Sequence, residues 1–578
     1  MKVGETLMRK TKLIISMLLT GAMSLSLLAG CGSQTKETSS ASGDGKVKEF
    51  TVFYAAAGTD IPDSNRVKQA ISKKIGANVK ETWLTGQTAK ERIGVMVAGG
   101  EYPDFIDGGD GTPALLDAGA LVPIEDKIDK YPNIAKYLSA SDRKRITKDD
   151  GHIYYIPQFS TVQGKVTDTK HGGEAFWIQK AVLEWAKFPK IQTLDQYFDL
   201  IEKYKAANPS INGQPTIGFE ILSADGKDFC LENPPQFLAG HPNDGKAIID
   251  KATLTAKNYN TIPEANQYFK KLNEEYNKGV IDPETFTANY DQYISKLSTG
   301  RVLGMIDQQW QFDKAERALL QKNLDERTFV PLGLTIDPNV KPHYRTMPDY
   351  NAGTGLGITT SCKDVDGALK VINDLLDPEV MNLRHWGEKD VDYKVDDKGL
   401  FSRTDEQRTN NRNQDWVTQN MCPYSWFPDY KGQLADGINA IKPTDQEGEF
   451  MSQLSATDKK VLDGYGYKKF TDFMNEPEPK NEAWYPIWSY INTLTADDPA
   501  SLALVKMDEV KKKWLKKVIM GKTNDFDSAW KEYTTTLTTQ ADVKGYEDAL
   551  TKEVKRRADT FGDKSKLYLG RVLFKSFS

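Results

Sequence analysis

Phe50-Thr-Val-Phe-Tyr54 is a run of β-branched and aromatic residues, and the segments after it decide the fold. Val67, Ala70, Ile71 and Ile75 recur at helical spacing and stop at Gly76, so a helix follows the first strand. Asn78 to Leu84 reads as a second strand, about Ala89 to Ala98 as a helix ended by Gly99-Gly100, and Asp104-Phe-Ile-Asp107 as a third strand. A βαβαβ order with right-handed crossovers gives a parallel sheet. The expected class is α/β.

Toward the C-terminus the pattern turns helical. Thr193 with Gln196 three residues on is a capping box, opening a helix whose apolar face is Leu194, Tyr197, Phe198, Ile201 and Tyr204. Three stripes close the chain: Val510, Trp514 and Val518; Phe526, Trp530, Tyr533 and Leu537; Val543, Tyr546, Leu550 and Val554. Lys511-Lys-Lys513 and Lys516-Lys517 interleave with the first stripe and read as a solvated face. More than 500 residues follow Val47, too many for one core, so at least two domains are expected.

Toward the N-terminus the chain reads as an address. Arg9, Lys10 and Lys12 precede an apolar run from Leu13 to Leu28, and Leu28-Ala-Gly-Cys31 is a lipobox. The run is shorter than the ~20 residues a spanning helix needs. Residues 1–30 are expected to be a signal peptide, with Cys31 lipidated as the new N-terminus at the cell membrane, facing outside. Residues 31–46, after Cys31, hold Ser, Thr, Gly, Lys and Gln with one Glu, one Asp and a single Ala, too polar to form a core, and read as a flexible tether.

Charge and cysteines exclude several classes. The chain carries −5, and residues 1–30 hold a net +3, so the remainder carries −8. That argues against a nucleic-acid partner, which requires a basic face. Besides Cys31 there are Cys230, Cys362 and Cys422, which allow one disulfide at most. The five histidines are scattered, and neither His-Glu-x-x-His nor Gly-x-Ser-x-Gly occurs. Gly353-Thr-Gly-Leu-Gly357 runs into a β-like Ile-Thr-Thr rather than a helix, so a dinucleotide reading fails. No catalytic residue, cofactor or metal is expected, although 81 acidic residues leave paired carboxylates for glycoside hydrolysis open.

Five further motifs fall in a recognisable order: Gly100-Glu-Tyr-Pro-Asp104, Gly119-Ala-Leu-Val-Pro-Ile124, Gly151-His-Ile-Tyr-Tyr-Ile-Pro157, Phe176-Trp-Ile-Gln179 and Gly304-Met-Ile-Asp-Gln-Gln-Trp310. Together they resemble family 1 extracellular solute-binding lipoproteins of ABC importers. Arg384-His-Trp-Gly-Glu388 and Val518-Ile-Met-Gly521 resemble the long Gram-positive subgroup that binds oligosaccharides. The resemblance implies a two-lobed type II periplasmic-binding-protein fold with hinge crossovers and a helix-rich C-terminal part. On it, residues 47–164 would form lobe 1, 165–344 lobe 2, 345–400 a return to lobe 1, and 401–557 lobe 2 with the C-terminal helices. Residues 558–578 form a tail that matches nothing in the family. Partners implied are an oligosaccharide or other small solute, two permease subunits and the membrane through the lipid, with the protein a monomer. An extracellular carbohydrate hydrolase and a surface scaffold are the rival readings.

Many relatives carry an Asp/Asn-rich calcium loop where this chain reads Asn208-Pro-Ser-Ile-Asn-Gly213; with no carboxylate there, calcium is not expected.

Sugar sites pair flat rings with planar polar groups, and 11 Trp and 25 Tyr allow one. Trp177, Trp185, Trp514 and Trp530 sit at helical spacing and read as core, and Trp484 leans the same way. Trp310 follows an apolar strand at the edge of a loop, where ligands gather in α/β sheets, and is read with Gln309 as the leading cleft candidate. Trp386, Trp416 and Trp426 lie in polar or Pro-broken surroundings and can equally bind ligand or lid a cluster. Tyr54, Asp107, Gln158 and Tyr350 come after strands or turns, and each can equally be a capping residue.

Overall fold

A computed structural model describes residues 47–562 apart from 224–226, 245–246 and 496. The signal peptide, Cys31, the tether and the tail from 563 onward lie outside the described residues.

The strands that organise the molecule are, along the chain, β1 (Lys48–Tyr54), β2 (Ala77–Trp83), β3 (Phe105–Asp107), β4 (Tyr155–Ile156), β5 (Thr161–Gln163), β6 (Glu174–Gln179), β7 (Ser210–Ile211), β8 (Gln214–Pro215), β9 (Ile217–Ile221), β10 (Val302–Gln308), β11 (Phe329–Leu332), β12 (Leu356–Ile358) and β13 (Tyr430–Gly432). The first sheet has the order β2-β1-β3-β12-β4 and the second β11-β6-β10-β9. β1 pairs in parallel with both β2 and β3, as the βαβαβ reading requires. Phe50, Val52 and Tyr54 face one core, whereas Phe53 and Ile106 face a smaller cluster on the other side.

Local signals account for the boundaries. The helix Arg66–Ile75 stops at Gly76 in the left-handed region (φ 71°), and its N-cap Asn65 accepts from the Lys68 amide. Thr193 and Gln196 form the expected reciprocal cap. β10 is buried from Val302 to Asp307, the mark of a central strand covered on both faces. Gly304 is required there, because a Cβ would lie 2.0 Å from the Tyr197 hydroxyl.

Two hydrophobic cores result. One holds Phe50, Val52, Ile71 and Phe105 with Ile358, Leu369, Phe427 and Ile441; the other holds Phe176, Phe198, Phe219 and Met305 with the helices Pro499–Met520, Phe526–Gln540 and Val543–Phe561. The chain passes between them near 157–174, 334–350 and 441–450. β5, which lies in the first of these passages, pairs in parallel over three residues with β13, which precedes the third. Residues 401–441, expected with the second lobe, pack into the first core. No composition shift marks that boundary.

Two more expectations are corrected. Trp185 is 46% exposed, its ring edge-on to Tyr204 rather than in the core. Lys511 is buried against Glu232, with Nζ 2.5 Å from a carboxylate oxygen, so the basic run is not all solvated. The thiols of Cys230, Cys362 and Cys422 are buried and unpaired.

Candidate functional site

Three parallel strands of the first sheet end in one row. Trp83 pairs with Tyr54 across β2 and β1, and Tyr54 with Asp107 across β1 and β3. Ligands collect at such carboxyl ends. Tyr54 is fully buried and forms a floor, with the Trp83 ring 4.6 Å and the Trp426 ring 5.7 Å from its own. Trp83 and Trp426 meet edge to face at 5.8 Å, and Phe159, 42% exposed, stands edge-on to Trp426 at 5.3 Å. These are the offset and T-shaped arrangements that ring quadrupoles favour. Gly58 lets the loop after β1 lie on Trp83, since a Cβ there would come within 2.1 Å of the indole. Burial raises the Tyr54 phenol pKa well above its usual value, with Glu81 adding to it, so the hydroxyl stays protonated.

Asp107 ties this ledge together. Its carboxylate accepts from the Gly109 amide (3.0 Å), the Gln158 side chain (3.1 Å) and the Thr354 hydroxyl (3.1 Å). Gln158 also donates to the Trp426 carbonyl at 3.0 Å. Burial raises the Asp107 pKa, and the three donors oppose that rise. From below, the fully buried Arg384 guanidinium donates to the carbonyls of Leu375, Pro423, Tyr424 and Pro428 at 2.9–3.0 Å. It clamps the loop that presents Trp426.

The second sheet ends differently. Asp307, near the end of β10, is buried and accepts from Tyr293 (2.7 Å), Gln311 (2.5 Å), the Gln308 amide (2.7 Å) and the Cys230 thiol (3.3 Å). Burial pushes its pKa up to about 6. Beside it Glu174, paired with Gln308 across β6 and β10, is pushed up to about 8 for the same reason. Trp310 stands above them, 58% exposed, its indole N–H donating to Gln308 at 2.5 Å. Its place is the second residue of the helix Gln309–Gln321 rather than a loop. Gln309 is turned back to Glu316 (3.1 Å).

The structure thus brings Tyr54, Asp107, Gln158 and Trp426 together and sets Trp310 and Gln309 at the other sheet. Three candidates lie elsewhere. Trp386 is wholly buried, its N–H on the Ala440 carbonyl (3.0 Å) and its ring against Phe401, so it serves the core and no cleft. Trp416 sits in the helix Gln414–Asn420, half-buried against the first core. Tyr350 is buried under Arg145, 4.6 Å over its ring, and donates to Asp142. Trp83 and Phe159 were missed: Trp83 ends a strand like any other β residue, and nothing local announces that Trp426 will meet it.

Between the two cores lies a cavity of about 970 Å³. Tyr154, Lys148 and Gly353 line it on the side of the first core, and Tyr485, Tyr490 and Arg557 on the side of the second. Gly353 on its wall is followed in the chain by Thr354, whose hydroxyl donates to Asp107.

The segment Asn208–Gly213 does not fit a hard cation. It enters the β7–β8 hairpin, with Asn212 and Gly213 at φ 52° and 76°, and its polar groups serve its own backbone. Thr216 Oγ1 donates to the Asn208 carbonyl (2.5 Å) and Asn208 Nδ2 to the Tyr204 carbonyl (3.0 Å). No carboxylate lies in that segment, and among the described residues no cluster of three His, Cys, Asp or Glu is placed to hold a metal.

Two α/β lobes, each with polar and aromatic side chains gathered at its strand ends, are the architecture of solute-binding proteins, and the comparisons agree on that fold. The model of the bacterial extracellular solute-binding protein family matches residues 67–388, more than half of the chain, which belongs to that family of binding proteins rather than enzymes. The fructooligosaccharide ABC transporter substrate-binding protein FusA of Streptococcus pneumoniae is 29% identical over 302 residues, 47% of this chain and 53% of that protein. The chain therefore spans about half the length of that relative. Lipoprotein LipO of Bacillus subtilis is 22% identical over 469 residues, 76% of this chain and 86% of LipO. Among solved structures, an HMO-binding ABC-transporter-associated solute-binding protein from Bifidobacterium longum infantis superposes with TM-score 0.62 at 16% identity, covering 88% of this chain and 99% of that one. That likeness supports the type II fold.

Proposed function

We propose that this protein captures an oligosaccharide between its two lobes and delivers it, unaltered, to the permeases of an ABC importer. It acts as a monomer held at the outer face of the cell membrane by a lipid on Cys31. The observation that carries this reading is the ledge of Trp83, Trp426 and Phe159 at the ends of three parallel strands. Ring faces of this kind match the C–H faces of pyranose or furanose units, and planar amides and carboxylates match the hydroxyls. The names of FusA, a fructooligosaccharide binder, and LipO, a lipoprotein, support the ligand class and the anchor. Closure of the lobes on ligand would bury the sugar and present the closed surface to the permease.

A panel of oligosaccharides, read by thermal melting and calorimetry, tests it. A true ligand at one hundred times its dissociation constant stabilises the folded state by about 2.7 kcal/mol. Reducing ends released from the panel would mark a hydrolase instead, and no saturable shift with any glycan would mark a scaffold.

A further inference from the structure

The cavity between the cores is richer in cations than its setting. In a chain of net charge −5, six lysines and arginines line it against four carboxylates. Several of these are already paired. Arg556 and Arg557 share Glu553, each at 2.6 Å, and Arg145 is held by Asp349 at 2.9 Å. Lys144, Lys148 and Lys552 have no carboxylate within 4 Å among the described residues.

Lys148 is the most constrained of the three. Its amide donates to the His152 carbonyl (2.8 Å) and its carbonyl accepts from Gly151 (2.9 Å), so a closed turn sets its direction. Its ammonium donates to the Tyr155 hydroxyl and lies 4.7 Å over the Tyr155 ring. Tyr155 in turn is pinned to the Ala352 carbonyl at 2.9 Å. This half-buried ammonium is held by a phenol oxygen, and although the charges of Asp149 and Asp150 act on it, neither is within 4 Å to pair with it. Burial accordingly lowers its pKa to about 8. An anion in the cavity would supply what is missing, and a concave surface with more cations than carboxylates concentrates anions. The rings of Tyr154, Tyr485 and Tyr490 share the same walls, so the cavity offers saccharide-like surface as well as charge. It also begins one residue from Thr354, which bonds Asp107 beneath the ring ledge.

Resting on the carbohydrate reading, we infer that this cavity receives a negatively charged substituent of the bound saccharide, a carboxylate or a sulfate or phosphate ester, with Lys148 as its counter-ion. The preference for acidic over neutral saccharides is then a property of the Lys148 turn, separable from stacking on the ledge.

Calorimetry with the intact chain tests this, using matched neutral, uronate and sulfated oligosaccharides, at pH 7 and physiological salt, on the wild type, Lys148→Met, Lys148→Arg and Lys552→Ala. The wild type should bind at least one acidic member about tenfold more tightly than its neutral counterpart. The uronate and sulfate arms tell which anion is preferred. Lys148→Met should erase that difference while neutral affinity stays within about twofold, and Lys148→Arg should keep part of it. Lys552 is exposed, so its alanine variant keeps the fold and should lower the acidic preference about threefold even if the Lys148 variants fold poorly. Equal binding of acidic and neutral members overturns this inference alone, as does a preference that survives Lys148→Met in a protein of unchanged melting temperature. Absence of binding to every saccharide overturns the carbohydrate reading and this inference with it.

Discussion

The ends of the two sheets solve the same problem with different materials. At each, a buried aspartate at or next to the end of a central strand collects donors from the segments around it: Asp107 from Gly109, Gln158 and Thr354, Asp307 from Tyr293, Gln311, Cys230 and the Gln308 amide. Above Asp107 four rings brace one another, and Arg384 locks the loop of one of them from beneath. Above Asp307 a single indole stands in solvent on one hydrogen bond. The first wall is preorganised, so a ligand meets it at little cost in side-chain ordering; the second must lose side-chain freedom on binding. The larger share of affinity should therefore come from the first wall.

The comparison breaks most visibly at the clamp. Arg384→Ala leaves four carbonyls without their donor, three of them buried, and should cost about 4 kcal/mol of stability, with binding of the proposed saccharide lost as the 423–428 loop relaxes. Urea unfolding that shows a change below about 1 kcal/mol would remove Arg384 from the account. Next comes proton load. Glu174 keeps its proton in the folded state up to about pH 8 and in the unfolded chain only to about 4.5. In that window the folded state binds more protons, so this group's contribution to stability is full below 4.5 and falls as pH rises toward 8. Glu174→Gln should flatten the wild-type decline by something on the order of 2–3 kcal/mol across the window; parallel curves for the two proteins would sink the assignment. Trp83→Ala should weaken binding of the proposed saccharide by about 2 kcal/mol, roughly thirtyfold, in calorimetry. Trp310→Ala should be the mildest, about 1 kcal/mol in affinity and within about 0.5 kcal/mol in stability because the ring is exposed. If Trp310→Ala costs more than Trp83→Ala, the preorganised wall is not the dominant one.

Much of this architecture was legible in residue order. The strand Phe50–Tyr54, the stop at Gly76 and the Thr193–Gln196 cap are local devices, and they produced the elements they announce. Charge pairing was not legible. Lys511 looked solvated because its partner Glu232 is brought to it only by the fold. Trp386 and Trp426 occupy similar polar, broken stretches, yet one is sealed beneath Phe401 and the other stands on the ledge. The difference lies in how Arg384 gathers the loop from Pro423 to Pro428, a contact between segments that no window of sequence contains. The boundary near residue 401 failed for the same reason: the chain stays with the first core through Ile441 without any change in composition. Trp83 shows the converse, a residue whose own segment was read well and whose company was not.

Cys230, Cys362 and Cys422 are hidden, and burial raises each thiol pKa, that of Cys362 to about 11, so little thiolate exists near neutrality. The folded body from Val47 onward is thus nearly mute toward maleimides. A single cysteine engineered onto each lobe would take a fluorophore or spin label cleanly, and the distance between the two probes would report, on the native background, whether sugar draws the halves together.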